Sequence, residues 1–297
     1  MSETQLTSAS GYNTNNMIFS QAQSGAVKDT TIKFRRIPIS TKYSDGSVGD
    51  LIFPTERLFS FGVCENINPD TKKVNGYVFP IVLFDKDGET KGQRDFVDTF
   101  NKVIDKCKEY LLSNKKELKL HDLEPADLKK FNPIYYKKTD GEIVEGALPT
   151  LYVKLIVSKK DGQEKIVSNF YNMRSGDSMN PLDLLKQYCY TTAAIKIESI
   201  FLGKNISIQV KLYEADIELL SSGKKRLLPR PAADTKVSIS DEKETKANPL
   251  SNDDDSFSLN GDDDNDDVAS IKSEEEEEPV KPVAKKVVKK VVKKAAK

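Results

Sequence analysis

Two short runs carry the residue types that could do chemistry in this chain, Leu151-Tyr-Val-Lys-Leu-Ile-Val-Ser158 and Ile206-Ser-Ile-Gln-Val-Lys-Leu-Tyr213. Side chains alternate across a strand, so Leu151, Val153, Leu155 and Val157 share one face and Tyr152, Lys154, Ile156 and Ser158 the other. In the second run Ile206, Ile208, Val210 and Leu212 oppose Ser207, Gln209, Lys211 and Tyr213. A ring beside a cation is what an unpaired nucleotide strand needs, because any base stacks on the ring and the next phosphate meets the charge. Tyr152, Lys154, Lys211 and Tyr213 are therefore the leading contacts. An ordinary solvated face with scattered tyrosines accounts for the same four residues without a ligand.

Other basic-aromatic clusters add second-rank contacts: Lys33, Arg35 and Arg36 around Phe34, the Lys159-Lys160 pair, and Tyr171 with Arg174 close by. Tyr135-Tyr-Lys-Lys138 is a further such cluster. Neighbours in a strand face opposite ways, so only half of each cluster lines one groove. In a third strand, 191–202, alternation puts Ile195, Ile197 and Phe201 together, opposite Lys196 and Glu198.

The elements that must hold these residues are short β-prone runs punctuated by turns. The runs are 32–39, 58–64, 77–84, 134–138, 151–158, 165–171, 191–202 and 206–217, and four Asp-Gly pairs mark tight turns (45–46, 87–88, 140–141, 161–162). Asp161-Gly162 predicts a hairpin over 151–171, and Gly203-Lys-Asn205 a second over 191–217. Phe96, Phe100, Val103, Ile104, Cys107, Leu111 and Leu112 recur at helical spacing and predict one amphipathic helix over 92–113. Shorter helices are expected at 123–131 and 181–188. The fold class is mostly β (α+β): strands around inserted helices, without β-α alternation.

Composition excludes several functions. His121 is the single histidine among 297 residues and Cys64, Cys107 and Cys189 are scattered, so neither structural zinc nor a disulfide framework is expected. No phosphate-loop or dinucleotide glycine motif is present, and no cofactor is implied. Residues 1–30 lack a basic end followed by an apolar run, so no signal peptide is expected, and no run has the ~20 apolar residues of a membrane helix. The chain reads as a binding protein, not an enzyme.

Charge divides the chain. Residues 251–280 hold 13 acids and one lysine, and 281–297 hold eight lysines and no acid, while 1–250 is net +4. Low hydropathy predicts disorder in these tails. The expected organisation is a disordered arm (1–29), a domain (30–228), a disordered acidic tail (229–280) and a disordered Lys-rich tail (281–297).

The runs Ile37-Pro-Ile-Ser40, Asp45 to Gly62, Asn75-Gly-Tyr-Val-Phe-Pro80, Pro149 to Leu155 and Ala194 to Glu214 resemble the single-stranded DNA-binding proteins of nucleocytoplasmic large DNA viruses. That group is distantly similar to the ssDNA-binding protein of short-tailed coliphages. The resemblance spans about 32–228 and implies an OB-fold-like Greek-key barrel with an acidic C-terminal tail. The acidic charge of 251–280 beside a net-basic domain leads to the expectation that this tail competes with DNA for the groove. The resemblance implies single-stranded DNA as partner in viral replication, recombination or repair, and replication proteins as partners of the tail. It also implies a site of action in host cytoplasm or nucleus, or in the virion, without secretion. This chain departs from the phage pattern by ending in lysines instead of acids and an aromatic. A virion-core or scaffold protein that binds nucleic acid through those lysines is the alternative.

Overall fold

The computed structural model of the chain describes residues 4–26, 33–68, 72–139, 142–160 and 163–220; the side chains of 159, 160, 163 and 164 lie outside that description. Both charged tails and the Asp140-Gly141 and Asp161-Gly162 turns also lie outside the described residues. The first half holds β1 (Met17–Phe19), β2 (Gln23–Ala26), β3 (Lys33–Lys42), β4 (Val48–Pro54), β5 (Leu58–Ser60), β6 (Cys64–Ile67), β7 (Val74–Val82) and helix α1 (Lys91–Ser113). Then come β8 (Ile134–Tyr135), β9 (Lys138–Thr139), β10 (Glu142–Ile143), β11 (Thr150–Leu155), β12 (Val157–Lys160) and β13 (Gln163–Ile166). The last are β14 (Asn169–Asn172), β15 (Ser178–Met179), β16 (Cys189–Leu202) and β17 (Ile206–Leu219).

Five of these strands close into a ring. β5 pairs with β7, β7 with β11, β17 with β16 and β16 with β5, all antiparallel, while β11 and β17 are parallel. Numbered by chain order within the ring, the sequence of neighbours is 1-2-3-5-4-1 with the parallel contact between 3 and 5. That is the topology of an OB-fold barrel, mostly β with one long helix, as expected.

Alternation explains which residues fill it. Phe79 stands opposite Val153, Leu155 opposite Leu212, and Ile195 and Ile197 opposite Leu212 and Val210, and all are buried. Helix α1, inserted between β7 and β11, starts at a capping box: the Gln93 amide donates to Thr90 Oγ1 (3.1 Å) and the Thr90 amide to Gln93 Oε1 (3.2 Å). Its stripe from Phe96 to Leu111 joins the barrel core.

Two β-bulges re-aim side chains. Ile197 pairs with Val210 and Ser199 with Gln209, leaving Glu198 as an extra residue in β16. Ala194 pairs with Glu214 and Ile195 with Leu212, leaving Tyr213 as an extra residue in β17. An extra residue reverses the alternation beyond it. Phe201 is therefore not on the face of Ile195 and Ile197, as strict alternation predicts; Ile200 takes the core position, and Phe201 packs with Phe34 on the other side.

Other expectations are corrected. The N-terminal segment, expected as a flexible arm, is built onto the barrel over residues 4–26. Phe19 stacks on Tyr110 (4.1 Å), Tyr12 packs edge-on to Phe53 (5.1 Å), and Thr99 Oγ1 donates to the Ala9 carbonyl (2.7 Å). Polar composition hid these few anchors. The hairpin over 151–171 is shorter than expected: β12 pairs with β13, whereas β11 and β14 both run parallel to β17. The helices at 123–131 and 181–188 are single 3-10 turns, Pro125–Leu128 and Pro181–Leu184, because a segment so short gains too few hydrogen bonds to sustain an α-helix.

Candidate nucleic-acid interface

The outer side of the barrel is built row by row from the strand registers. Lys154 of β11 stands opposite Lys211 of β17, and Lys211 opposite Lys196 of β16. Three lysines thus line up across three adjacent strands, each about 5 Å from the next. Like charges placed directly opposite destabilise a sheet, so such a row calls for counter-charge and polar cover. Lys196 has it in Asp50 (2.9 Å), and Lys154 Nζ donates to Gln209 Oε1 (3.3 Å). Lys211 is only 7% exposed.

Tyr152 lies two residues before Lys154 on the same side, half-buried, with the Tyr135 ring edge-on at 6.2 Å. Burial, reinforced by the neighbouring Tyr135 and Cys64, pushes its phenol up to about 12. The ring is therefore neutral over the working pH range and does not repel phosphate. Tyr213, the extra residue of the β17 bulge, is half-buried two residues beyond Lys211. Because β11 and β17 are parallel, the two tyrosines lie at opposite ends of the lysine row, roughly 14 Å apart at 3.3 Å per residue and 4.8 Å per strand. At that spacing the two rings cannot stack on one planar group. At the bulge, β17 passes from β11 to β14, and Ser168 bridges the gap by accepting from the Ile156 amide (2.8 Å) and donating to the Leu212 carbonyl (2.5 Å).

The second-rank residues separate. Arg36 faces outward opposite Phe201, with its guanidinium 5.1 Å from the Phe34 ring and 5.8 Å from the Phe201 ring. Phe201 in turn faces Ser207, which puts Arg36 on the same side as Gln209 and Lys211. Lys33 and Arg35 alternate to the opposite side of β3. Lys159 and Lys160 lie on β12, away from the ring, with side chains outside the described residues. Tyr171 stands opposite Asp216 on β14, about 17 Å along β17 from Lys211. Arg174 reaches Glu218 (3.3 Å), farther along still.

Sequence reasoning missed three parts of this face. Lys196 was placed on it without its role in the row. Lys204, exposed at the tip between β16 and β17, and Lys72 and Lys73, exposed between β6 and β7, rim the two loops that flank the ligand face of an OB-fold. Their signal was a lysine at a turn, legible once the strand order is known.

No helix among the described residues is long and apolar enough to cross a membrane. The barrel and its outer lysine-tyrosine rows define a protein of the OB-fold class. The chain belongs to the family described as "Protein of unknown function (DUF2738)", whose model matches residues 11–256. It is 28% identical over 181 residues to the "Early 31 kDa protein" of Frog virus 3 (isolate Goorha), covering 60% of this chain and 67% of that protein. It is 24% identical over 262 residues to "Uncharacterized protein 007R" of Invertebrate iridescent virus 3, covering 87% of this chain and 53% of that protein. These iridovirus relatives are distant, and neither name states a ligand. No solved structure matches the chain.

Proposed function

We propose that this protein is a non-enzymatic single-stranded DNA-binding protein that coats exposed strands during replication, recombination or repair of a large DNA virus. The observation that carries the reading is the Lys154-Lys211-Lys196 row on the outer side of an OB-fold barrel, with Tyr152 beside Lys154 on the third ring strand, which belongs to the ligand face of that fold. In this reading Lys154 meets phosphate, Tyr152 and Tyr213 stack bases, and Arg36 continues the positive path. Lys211, largely covered, contributes field more than direct contact. The 251–280 tract imitates a phosphate backbone, occupies the groove when DNA is absent, and engages replication proteins when displaced. Tethering raises its effective concentration to the mM range, so a weak contact suffices.

The test is fluorescence anisotropy of the full chain on single strands, duplex and RNA across a salt series. Preference for single-stranded DNA, with affinity falling steeply with salt, is the expected result. Equal binding to duplex that disappears on removing 281–297 supports the alternative, a genome-packaging or scaffold protein acting through its eight terminal lysines.

A further inference from the structure

We infer that the single-stranded path does not end at Tyr152 but continues onto a second aromatic platform at Phe59, Phe61, Tyr188 and Tyr190, with Arg174 as its phosphate contact. The inference rests on the function proposed above and extends its binding site.

These four rings pack edge to face: Phe59 is 5.2 Å from Phe61, 5.8 Å from Tyr188 and 6.1 Å from Tyr190, and Phe61 is 5.9 Å from Tyr188. None is fully buried, and Tyr188 is 45% exposed. Their assembly depends on Gly62. Its φ of +81° and its close approach to the backbone of Leu184 and Gln187 leave no room for a side chain. Two backbone bonds, Val63 amide to Leu184 carbonyl and Lys186 amide to Val63 carbonyl (both 2.9 Å), then set Tyr188 beside Phe61.

Charge makes the platform suited to a polyanion with π faces. Glu218 accepts two bonds from Arg57 (3.0 and 2.7 Å), which holds that guanidinium 3.6 Å from the Tyr190 ring centre. Arg174, its side chain 84% exposed, is the second cation against one carboxylate. Tyr190 is thus capped by arginine, Tyr188 is the open ring, and Arg174 lies where a following phosphate would pass.

The platform is continuous with the lysine face. The Phe61 amide donates to the Pro80 carbonyl (3.4 Å), and Pro80 is the Cα partner of Tyr152. Phe61 is therefore two strand spacings from Tyr152, about 10 Å.

The experiment uses the full chain and oligothymidylates of about 8, 16 and 24 nucleotides, bracketing the range one OB-fold covers. Replacing Tyr188 by Ala should leave the shortest oligomer's affinity unchanged and lower that of the longest about tenfold, while Tyr188→Phe keeps it. Arg174→Ala should reduce the salt dependence for the longest oligomer only, and an oligomer carrying 5-iododeoxyuridine should photocrosslink to Tyr188. If Tyr152→Ala weakens every length while Tyr188→Ala and Arg174→Ala change none, the platform is not part of the path and fits an apolar protein partner instead. If neither tyrosine matters at any length, the proposed function fails and this extension with it.

Discussion

Lys154 and Lys211 are Cα partners in the parallel pairing of β11 with β17 that closes the barrel. The pairing joins residues 57 positions apart and sets two like charges on one side of the sheet. It turns two separate Lys-Tyr runs into one surface, with Tyr152 before the row and Tyr213 after it.

Lys154→Ala should therefore lower the slope of log affinity against log salt by about 0.7, the loss of one phosphate contact on a single strand, while Tyr152→Ala should weaken binding by about 1–3 kcal/mol and leave that slope unchanged. Both are read by anisotropy at several salt concentrations. A slope lowered equally by Tyr152→Ala would contradict the division of roles.

Tyr213 matters twice, as a ring and as the extra residue of a bulge. Tyr213→Ala should leave the fold intact. Deleting Tyr213 should leave it intact too, because the deletion straightens the ladder while Leu212, Ala215 and Ile217 keep alternating towards the core in the same register. Urea unfolding of the two variants checks this, and a large loss of stability in either would contradict the bulge.

Phe100 on α1 is 1% exposed and lies 6.1 Å from Phe96. Phe100→Ala should destabilise the chain by about 3–5 kcal/mol, measured by urea unfolding. A cost under ~1 kcal/mol would show that the helix is not integral to the barrel core.

Burial pushes the Cys107 and Cys189 thiols up to about 12 from an ordinary 9.0, partly offset at Cys189 by the Ser60 hydroxyl. Tyr152 rises likewise to about 12 from 10.0. With folded values above unfolded ones, the neutral groups contribute stability that is fully present below pH 9 and lost as pH climbs towards 12. Melting temperature should fall across that window. At pH 8 a thiol reagent should find at most Cys64 in the folded chain, and all three cysteines in urea.

Removing 251–297 should raise affinity for single strands at low salt, with the difference vanishing at high salt where the tail's charges are screened. Unchanged affinity at low salt would refute competition between tail and DNA.

Local patterning in the sequence already determined a good deal. The 3-4 spacing from Phe96 to Leu111 specified α1 almost to its ends, since that stripe has one way to be buried. The alternation in 151–155 and 206–212 specified which side of each strand is apolar, and hence that Tyr152, Lys154 and Lys211 point away from the core. Tertiary structure decided what no local pattern encodes. Strand order is a long-range choice, so only the folded chain shows that Lys154, Lys211 and Lys196 form one row and that Tyr171 and Arg174 lie elsewhere. Bulges at Glu198 and Tyr213 depend on how two strands meet, which is why alternation misplaced Phe201. The platform around Tyr188 brings together residues 57–61, 188–190 and 218, and proximity of that kind exists only once a barrel has closed.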